Sequence, residues 1–298
     1  MSNSITKAKE YKALLDKAYE HLSLTSILNA PAGLVQPGSK AGSFLVAKQT
    51  LVGLGTYNRA TGFPAGDVTL TWEELTYSQD RGRSFVVDAM DNMETAGQAF
   101  GQLAAEFLRL KVVPEVDAYR FATIATGAGQ DAYGILDSSA EWVAAVDTAI
   151  AGLGDAGIPQ EQCALFITYA GKNYLKNSTV AGRLTAAGVN PDARFDMWDG
   201  IPVVPVPTNR FYGEIGTNAG ATGSAGGYTN AGGAINFILM DKGAAFCDLK
   251  HAVPRIFSPS EYQTADAWKF DYRVYHDCFI LDNKAEGIYV HGNTDIVS

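Results

Sequence analysis

The sequence predicts an α+β fold, and three observations support this prediction. Two strand-like runs lie between residues 44 and 87, a long stretch with helical periodicity surrounds residue 100, and a strictly alternating run lies near the C-terminus. With 298 residues, of which 47% are hydrophobic and 18% charged, the chain can bury a sizeable core. We therefore expect a folded protein with one large domain or two modest ones.

Composition argues against several function classes. The formal net charge of −9 repels phosphate backbones and does not support sequence-specific DNA recognition. The start of the chain, residues 1–9, has no apolar region of a signal peptide, and no stretch reaches the roughly 20 apolar residues of a bilayer span, so we expect no membrane partner. Cys163, Cys247 and Cys278 are far apart and form no CxxC pair, which predicts reduced thiols in the core.

The N-terminal part predicts a helical arm followed by a long β ribbon. In residues 5–22 apolar side chains recur every three or four positions, which is typical of an amphipathic helix, and Pro31 and Pro37 then predict an extended linker. Between residues 44 and 87, the runs FLVAKQTLVGL and DVTLTWEELTYSQ flank a turn-rich stretch. An isolated two-stranded ribbon is marginal in water, so we expect a neighbouring subunit to bury it.

The longest helix is predicted over residues 92–111, where apolar side chains repeat at spacings of three and four. Asp91 followed by Glu94 predicts an N-terminal cap for this helix. Val112 precedes Pro114, and a residue before proline disfavours helical geometry, so we expect the chain to change direction there.

The middle and the end of the chain predict a mixed α/β region. Ser138 with Glu141 forms a capping-box pattern that opens a second helix. The remaining predicted elements are a strand at 164–168, a short helix at 171–176, an edge or connecting strand at 201–207, a flexible glycine-rich loop at 213–233, a buried strand from Ala234, and a terminal hairpin in which the alternating run 268–280 pairs with GIYVH.

No motif for nucleotide binding or hydrolysis is present, so we predict no catalytic residue, no cofactor and no metal. Asp88, Asp91 and Glu94 recur every three residues and could line a cation site, although carboxylates at a helix start also oppose the positive end of the helix dipole. His276 beside Asp277 could form an acid/base pair. On an alternating strand, a packed histidine is the simpler interpretation.

The order of these elements resembles the major capsid proteins of tailed bacteriophages with the Hong Kong 97 type fold. Three stretches support the resemblance: TLTWEELTYSQDRGRSFVVDAMDNMET (69–95), LKVVPEVDAYRFATIA (110–125) and YHDCFILDNKAEGIYVH (275–291). The resemblance implies an N-terminal arm at 1–43, a long β-hairpin E-loop at 44–87, a P-domain with a spine helix at 88–137, an A-domain at 138–250 and closing strands of the P-domain at 251–298.

The resemblance also implies a function. A protein of this family self-assembles as hexamers and pentamers into an icosahedral or prolate shell, and it is found in the virion after assembly in the host cytoplasm. Its implied partners are a separate scaffolding protein, a portal, a decoration protein and double-stranded DNA, which is enclosed rather than read. Some members cross-link through an E-loop lysine, but this sequence has no lysine between Lys48 and Lys111, which argues against that chemistry.

Two other functions stay open at this point. An encapsulin-like nanocompartment would use the same fold to enclose a protein cargo. An α/β enzyme using His276 and Asp277 is an alternative from a different class.

Contacts between subunits are expected along the ribbon and at its base. Arg81 and Arg83 lie near Asp80 in sequence, which predicts charge pairs within or between subunits, although solvated surface charges would give the same pattern. The residues that we expect at these contacts are Tyr57, Asn58, Arg59, Trp72, Arg81, Arg83, Asp88 and Asp91.

Overall fold

A computed structural model describes residues 23–28, 36–37, 43–51, 53–57, 59, 62–63, 68–94, 98–185, 196–220 and 225–296. The predicted arm helix at 5–22 and Asn58 lie outside these residues. The chain divides into two compact units, a smaller one at Ala30–Gln79 and a larger one formed by Met1–Asn29 with Asp80–Ser298. Helices and three sheets together confirm the predicted α+β class.

The smaller unit contains an antiparallel sheet of three strands in sequential order. Its register places Ser43 opposite Thr76 and Leu51 opposite Val68, so the two predicted strand runs pair with each other. The strands are β1 (Gln36–Pro37), β2 (Ser43–Leu51) and β3 (Val68–Thr76).

The next strand, β4 (Gln79–Asp88), belongs to a different sheet. It is the outer strand beside β13 (Ala267–Ile280), which pairs in turn with β12 (Ala245–Phe257). The ribbon predicted to extend to residue 87 therefore ends earlier. Side chains of β4 alternate between half-buried and exposed, because one face of the strand packs against the interior of the larger unit.

Helical structure continues well past the position where we expected it to end. The segments are α1 (Ala89–Glu94), α2 (Gln98–Phe107), a π-helical turn at Leu108–Val112 and α3 (Val113–Thr126). The predicted helix end at Lys111 is wrong, because helical backbone continues through the π turn into α3. Pro114 lies in the first turn of α3, immediately after the π turn has already interrupted the regular hydrogen-bond ladder, so its missing N–H costs little there.

The N-terminal cap of this helical region is Asp88, not the predicted Asp91. The Asp88 carboxylate accepts a hydrogen bond of 2.8 Å from the backbone N–H of Met90, at the start of α1. An aspartate before the first helical residue satisfies a free N–H and opposes the helix dipole.

The largest sheet has eight strands. Seven of them follow the order β5-β14-β11-β6-β9-β8-β7, and β10 pairs with β11 beside this path. The β5/β14 and β6/β9 pairs are parallel and the others are antiparallel. The strands are β5 (Gln130–Tyr133), β6 (Cys163–Thr168), β7 (Leu184–Thr185), β8 (Asp196–Trp198), β9 (Ile201–Val206), β10 (Tyr212–Asn218), β11 (Gly227–Asp241) and β14 (Ile288–Gly292).

Three predictions about strand pairing are wrong. The stretch 201–207 is not an edge strand, because β9 lies between β6 and β8. The described residues of 213–233 form most of the β10/β11 hairpin rather than a flexible loop. The alternating run 268–280 does not pair with GIYVH, since β13 pairs with β12 and β14 pairs with β11 and β5.

Two further helices, α4 (Ser139–Asp155) and α5 (Tyr169–Lys176), pack beside the large sheet. The predicted capping box is confirmed: the Ser138 hydroxyl accepts from the Glu141 backbone N–H, and the Glu141 carboxylate accepts from the Ser138 N–H. Hydrogen bonds from the backbone N–H of Asp137 and from Ser138 lower the pKa of the Glu141 carboxyl. Gly171 allows α5 to approach α4 closely, because a Cβ there would lie 2.4 Å from the Trp142 ring.

The core lies on both faces of the large sheet, because neighbouring residues of its central strands point in opposite directions. On β6, Phe166 faces a cluster that includes Phe121 of α3, whereas Leu165 and Ile167 face a cluster that includes Trp142 of α4. A third cluster joins α2, the π turn and α3 to β13.

A buried carboxylate connects the N-terminal segment to α3. Asp117 is fully buried and accepts hydrogen bonds from both hydroxyls of Ser23 and Thr25, at 2.9 and 2.7 Å, and from the Leu24 N–H at 3.1 Å. Arg210 lies 3.3 Å from the other side of the carboxylate, where it balances the negative charge. Within the larger unit, these hydrogen bonds hold residues 23–25 against α3.

Candidate assembly surface

A groove of about 840 Å³ opens on the larger unit. We call it the spine groove, because its walls are β4, the helical stretch α2 to α3, the tip of the β10/β11 hairpin and β13. Its apolar surface comes from the third core cluster, in which Phe85 of β4 stacks edge-on against Phe107 at 4.9 Å between ring centroids. Tyr272 of β13 completes this aromatic group, 6.1 Å from Phe107.

Two arginines of β4 hold the walls of the spine groove together. Arg81 pairs with Glu115 of α3 at 2.6 Å and donates to the Gly227 carbonyl at 3.1 Å. Arg83 donates to the Gly220 carbonyl at 3.1 Å. Both arginines therefore bind inside their own chain, and they connect β4 to the helix and to the hairpin.

The aspartates that lie near Arg81 and Arg83 in sequence have other roles in the structure. Asp80 pairs with Arg273 of β13, and this guanidinium lowers the pKa of the Asp80 carboxyl. Asp88 serves as the helix cap, and Asp91 is exposed in α1. Sequence reasoning missed Glu115, since nothing local distinguishes it from any other helical glutamate.

His276 lies at the groove wall and is buried, as its place on an alternating strand predicted. Its ring packs edge-on against Tyr119 at 5.5 Å, and its Nδ1 has no hydrogen-bond partner among the described residues. Burial lowers the pKa of His276 to about 3, and the positive charges of Arg120 and Arg81 act in the same direction. The imidazole is therefore neutral at pH 7.

A pH-dependent stability follows from this histidine. The folded-state pKa of about 3 lies below the ordinary value of 6.5, so the unfolded chain takes up the proton first. Stability from the neutral ring is complete above pH 6.5 and is lost as the pH falls toward 3. Urea unfolding at pH 7 and pH 5 should show that the free energy of unfolding is lower at pH 5 by about 2 kcal/mol because of this histidine. His276→Gln should abolish this difference. The control, His251→Gln on β12, should keep the loss; an unchanged pH response in His276→Gln would contradict this account.

The acid/base alternative for His276 and Asp277 finds little support in this geometry. Asp277 is buried, and its carboxylate accepts hydrogen bonds of 2.8 Å from the Tyr119 hydroxyl and from the Cys278 N–H. A histidine with so low a pKa is a weak base at neutral pH. Within the described part of the chain, no group of three or more His, Cys, Asp or Glu residues could hold a metal ion.

The smaller unit exposes large apolar side chains. Phe63 is 88% exposed, Tyr57 55% and Trp72 47%, and Leu54 is fully exposed. The rings of Tyr57 and Phe63 lie 4.9 Å apart and form one aromatic patch. Arg59 is exposed in the same stretch. Clustered apolar exposure of this kind marks an interaction surface.

None of the helices in the described ranges is long and apolar enough to cross a membrane. No family model matches the sequence, and no curated protein does either. Three solved structures illustrate what the fold is similar to. They are a structure of Mycobacterium phage Che8 (14% identity, 86% of each chain, TM-score 0.57), the capsid structure of the cyanophage P-SCSP1u (13%, 90% of this chain and 93% of that one, 0.55) and the virus-like particle from Pyrococcus furiosus (12%, 94% and 96%, 0.54).

These similarities extend over nearly the whole chain, so the chain has the fold of proteins that form viral and virus-like shells. The fold is of the Hong Kong 97 type, as the order of elements predicted.

Proposed function

We propose that this chain is a major capsid protein that assembles with copies of itself into a closed shell around a phage genome. The proposal is supported most by two observations together. The smaller unit exposes an aromatic patch, and a capsid structure is similar to this chain over 90% of its length. A shell needs several modest interfaces per subunit, because multivalent closure stabilises the particle while wrong contacts can still dissociate.

The proposed contacts combine both units. Tyr57, Arg59 and Trp72 would lie against a neighbouring copy, together with Asn58. Asp88 at the end of β4 and Asp91 in α1 would contribute charged contacts, since both are exposed. Arg81 and Arg83 would act indirectly, since they hold the walls of the spine groove that a neighbour would cover.

Further partners follow from the same proposal. A separate scaffolding protein would guide assembly, a portal would occupy one vertex, and a decoration protein could bind the outer face. Assembly would take place in the host cytoplasm and the product would be the virion. With a net charge of −9, the shell would enclose double-stranded DNA without binding it tightly.

A second candidate function is a nanocompartment that encloses protein. The similarity to the Pyrococcus furiosus virus-like particle favours considering it, because that match covers 94% of this chain. The two functions differ in what the particle contains. Particles isolated from the natural source would hold double-stranded DNA in the first case and a protein cargo in the second.

Electron microscopy of the purified chain, combined with sedimentation velocity, tests the proposal. We expect closed, uniform particles that sediment far faster than a single subunit. A discrete small oligomer at every concentration, with and without a co-expressed scaffolding protein, would contradict shell formation and would favour the enzyme alternative.

A further inference from the structure

Two of the three cysteines face each other across a pair of strands. Cys247 on β12 lies directly opposite Cys278 on β13, and the two Sγ atoms are 3.1 Å apart. Both thiols are buried, at 1% and 3% exposure, in the core cluster that also contains Phe121 of α3. Both are free thiols in the structure.

We propose that Cys247 and Cys278 form an intrachain disulfide when the protein meets an oxidising environment. Residues directly opposite in an antiparallel pair have Cα atoms about 4.5–5.5 Å apart, which lies within the range of about 4.4–6.8 Å that disulfides span. The backbone is therefore already placed for the bond, and only small side-chain movements are needed. This inference does not depend on the proposed shell function.

The surroundings favour reaction at one sulfur first. The hydrogen bond between the two thiols lowers the pKa of Cys247 and raises that of Cys278, because one sulfur accepts while the other donates. The positive charge of Arg120 lowers the pKa of both thiols, so the difference between them comes from their hydrogen bond. A thiolate is the nucleophile in disulfide exchange, so Cys247 is the expected attacking group.

The oxidant would be a small disulfide such as oxidised glutathione. The Cys247 thiolate attacks one of its sulfurs, which breaks the S–S bond and releases one glutathione thiolate. Cys278 then loses its proton, attacks the Cys247 sulfur and displaces the second glutathione. Two cysteine thiols have then lost two electrons and two protons, and the oxidant has become two glutathione thiols.

The position in the sheet provides access. Cys247 is the third residue of β12 and Cys278 is the third from the end of β13, so the pair lies close to one end of both strands. Strand ends open locally far more often than the whole domain unfolds, and such opening would admit a small oxidant. Cys163 has no cysteine beside it among the described residues, and burial raises its pKa, so it should stay reduced.

The bond would close a loop between residues 31 positions apart. Cross-linking a loop of this length restricts the unfolded chain, and we expect the melting temperature to rise by roughly 5–10 °C. Dithiothreitol should reverse the increase.

The test counts free thiols. The full chain is incubated in oxidised glutathione below its melting temperature until the count is constant, and a second sample is refolded in the same buffer. Both are acid-quenched, unfolded, alkylated and weighed by mass spectrometry. We expect one alkylated cysteine in place of three, with a linked peptide pair containing Cys247 and Cys278. Cys163→Ser should lower the count to zero, and Cys247→Ser should leave two thiols. Three free thiols in both samples, or a bond between chains on a non-reducing gel, would overturn the proposal.

Discussion

Replacing Asp117 with alanine is expected to lower the free energy of unfolding by about 3–5 kcal/mol, because breaking a buried charge network leaves its other members uncompensated. Five donors contact this fully buried carboxylate. They are the hydroxyls of Ser23 and Thr25, the backbone N–H groups of Leu24 and Thr25, and the guanidinium of Arg210. Alanine removes every acceptor at once. Urea unfolding followed by circular dichroism gives the change.

Two variants separate charge from shape at this site. Asp117→Asn keeps one acceptor oxygen and a similar volume. Its free energy of unfolding should therefore lie between those of the native chain and Asp117→Ala. Asp155→Ala, at an exposed aspartate at the end of α4, removes the same group without breaking any network and should change stability by less than about 0.5 kcal/mol. If Asp117→Ala cost no more than Asp155→Ala, the network would have no role in holding the N-terminal segment.

Replacing Tyr57 with aspartate is expected to prevent particle formation while leaving the subunit folded. Tyr57 is more than half exposed and forms the aromatic patch with Phe63, so the subunit itself loses little. In the shell, a charge would be buried against a neighbour without a partner. A loss of about 2 kcal/mol per contact corresponds to a roughly 30-fold weaker interface, repeated at every subunit.

The matched control for this prediction is Thr56→Asp, which adds the same charge at the adjacent exposed position but removes no aromatic ring. Sedimentation velocity and circular dichroism are measured on both variants. Tyr57→Asp should sediment as small species with an unchanged spectrum, whereas Thr56→Asp should still assemble. Equal assembly of Tyr57→Asp and the native chain would exclude the patch from the subunit contacts.

Local patterns predicted local structure well. The Ser138 capping box, the strand at 164–168 and the two runs that became β2 and β3 each depend on residues close in sequence, and each was confirmed. Burial of His276 and of all three cysteines was also correct, because alternation and composition identify the side chains that face a core.

Pairing partners could not be predicted in the same way. The alternation of 268–280 identifies β13 as a strand, but its partners β12 and β4 are selected by three-dimensional packing. The glycine-rich stretch 213–233 has the composition of a loop. Its described residues nevertheless belong largely to β10 and β11, which pair with each other, with a bulge between Tyr212 and Glu214. Tertiary context overrides weak local propensity at such positions.

The helix after residue 112 was missed for a related reason. A proline preceded by valine predicts a helix end, and only the π turn at Leu108–Val112 makes room for Pro114. The candidate surface shows the same limit. Glu115 and Asp117 appear as ordinary charged residues of a helix, and their roles depend on Arg81 and on Ser23, which are distant in sequence.

The central claim is that copies of this chain cover each other's exposed aromatic patch and spine groove. A cryo-electron microscopy reconstruction of the assembled particle tests it most directly. We expect density from a neighbouring copy against Tyr57 and Phe63, and across the groove beside Phe85 and Phe107. A particle in which both surfaces face open solvent would contradict the account.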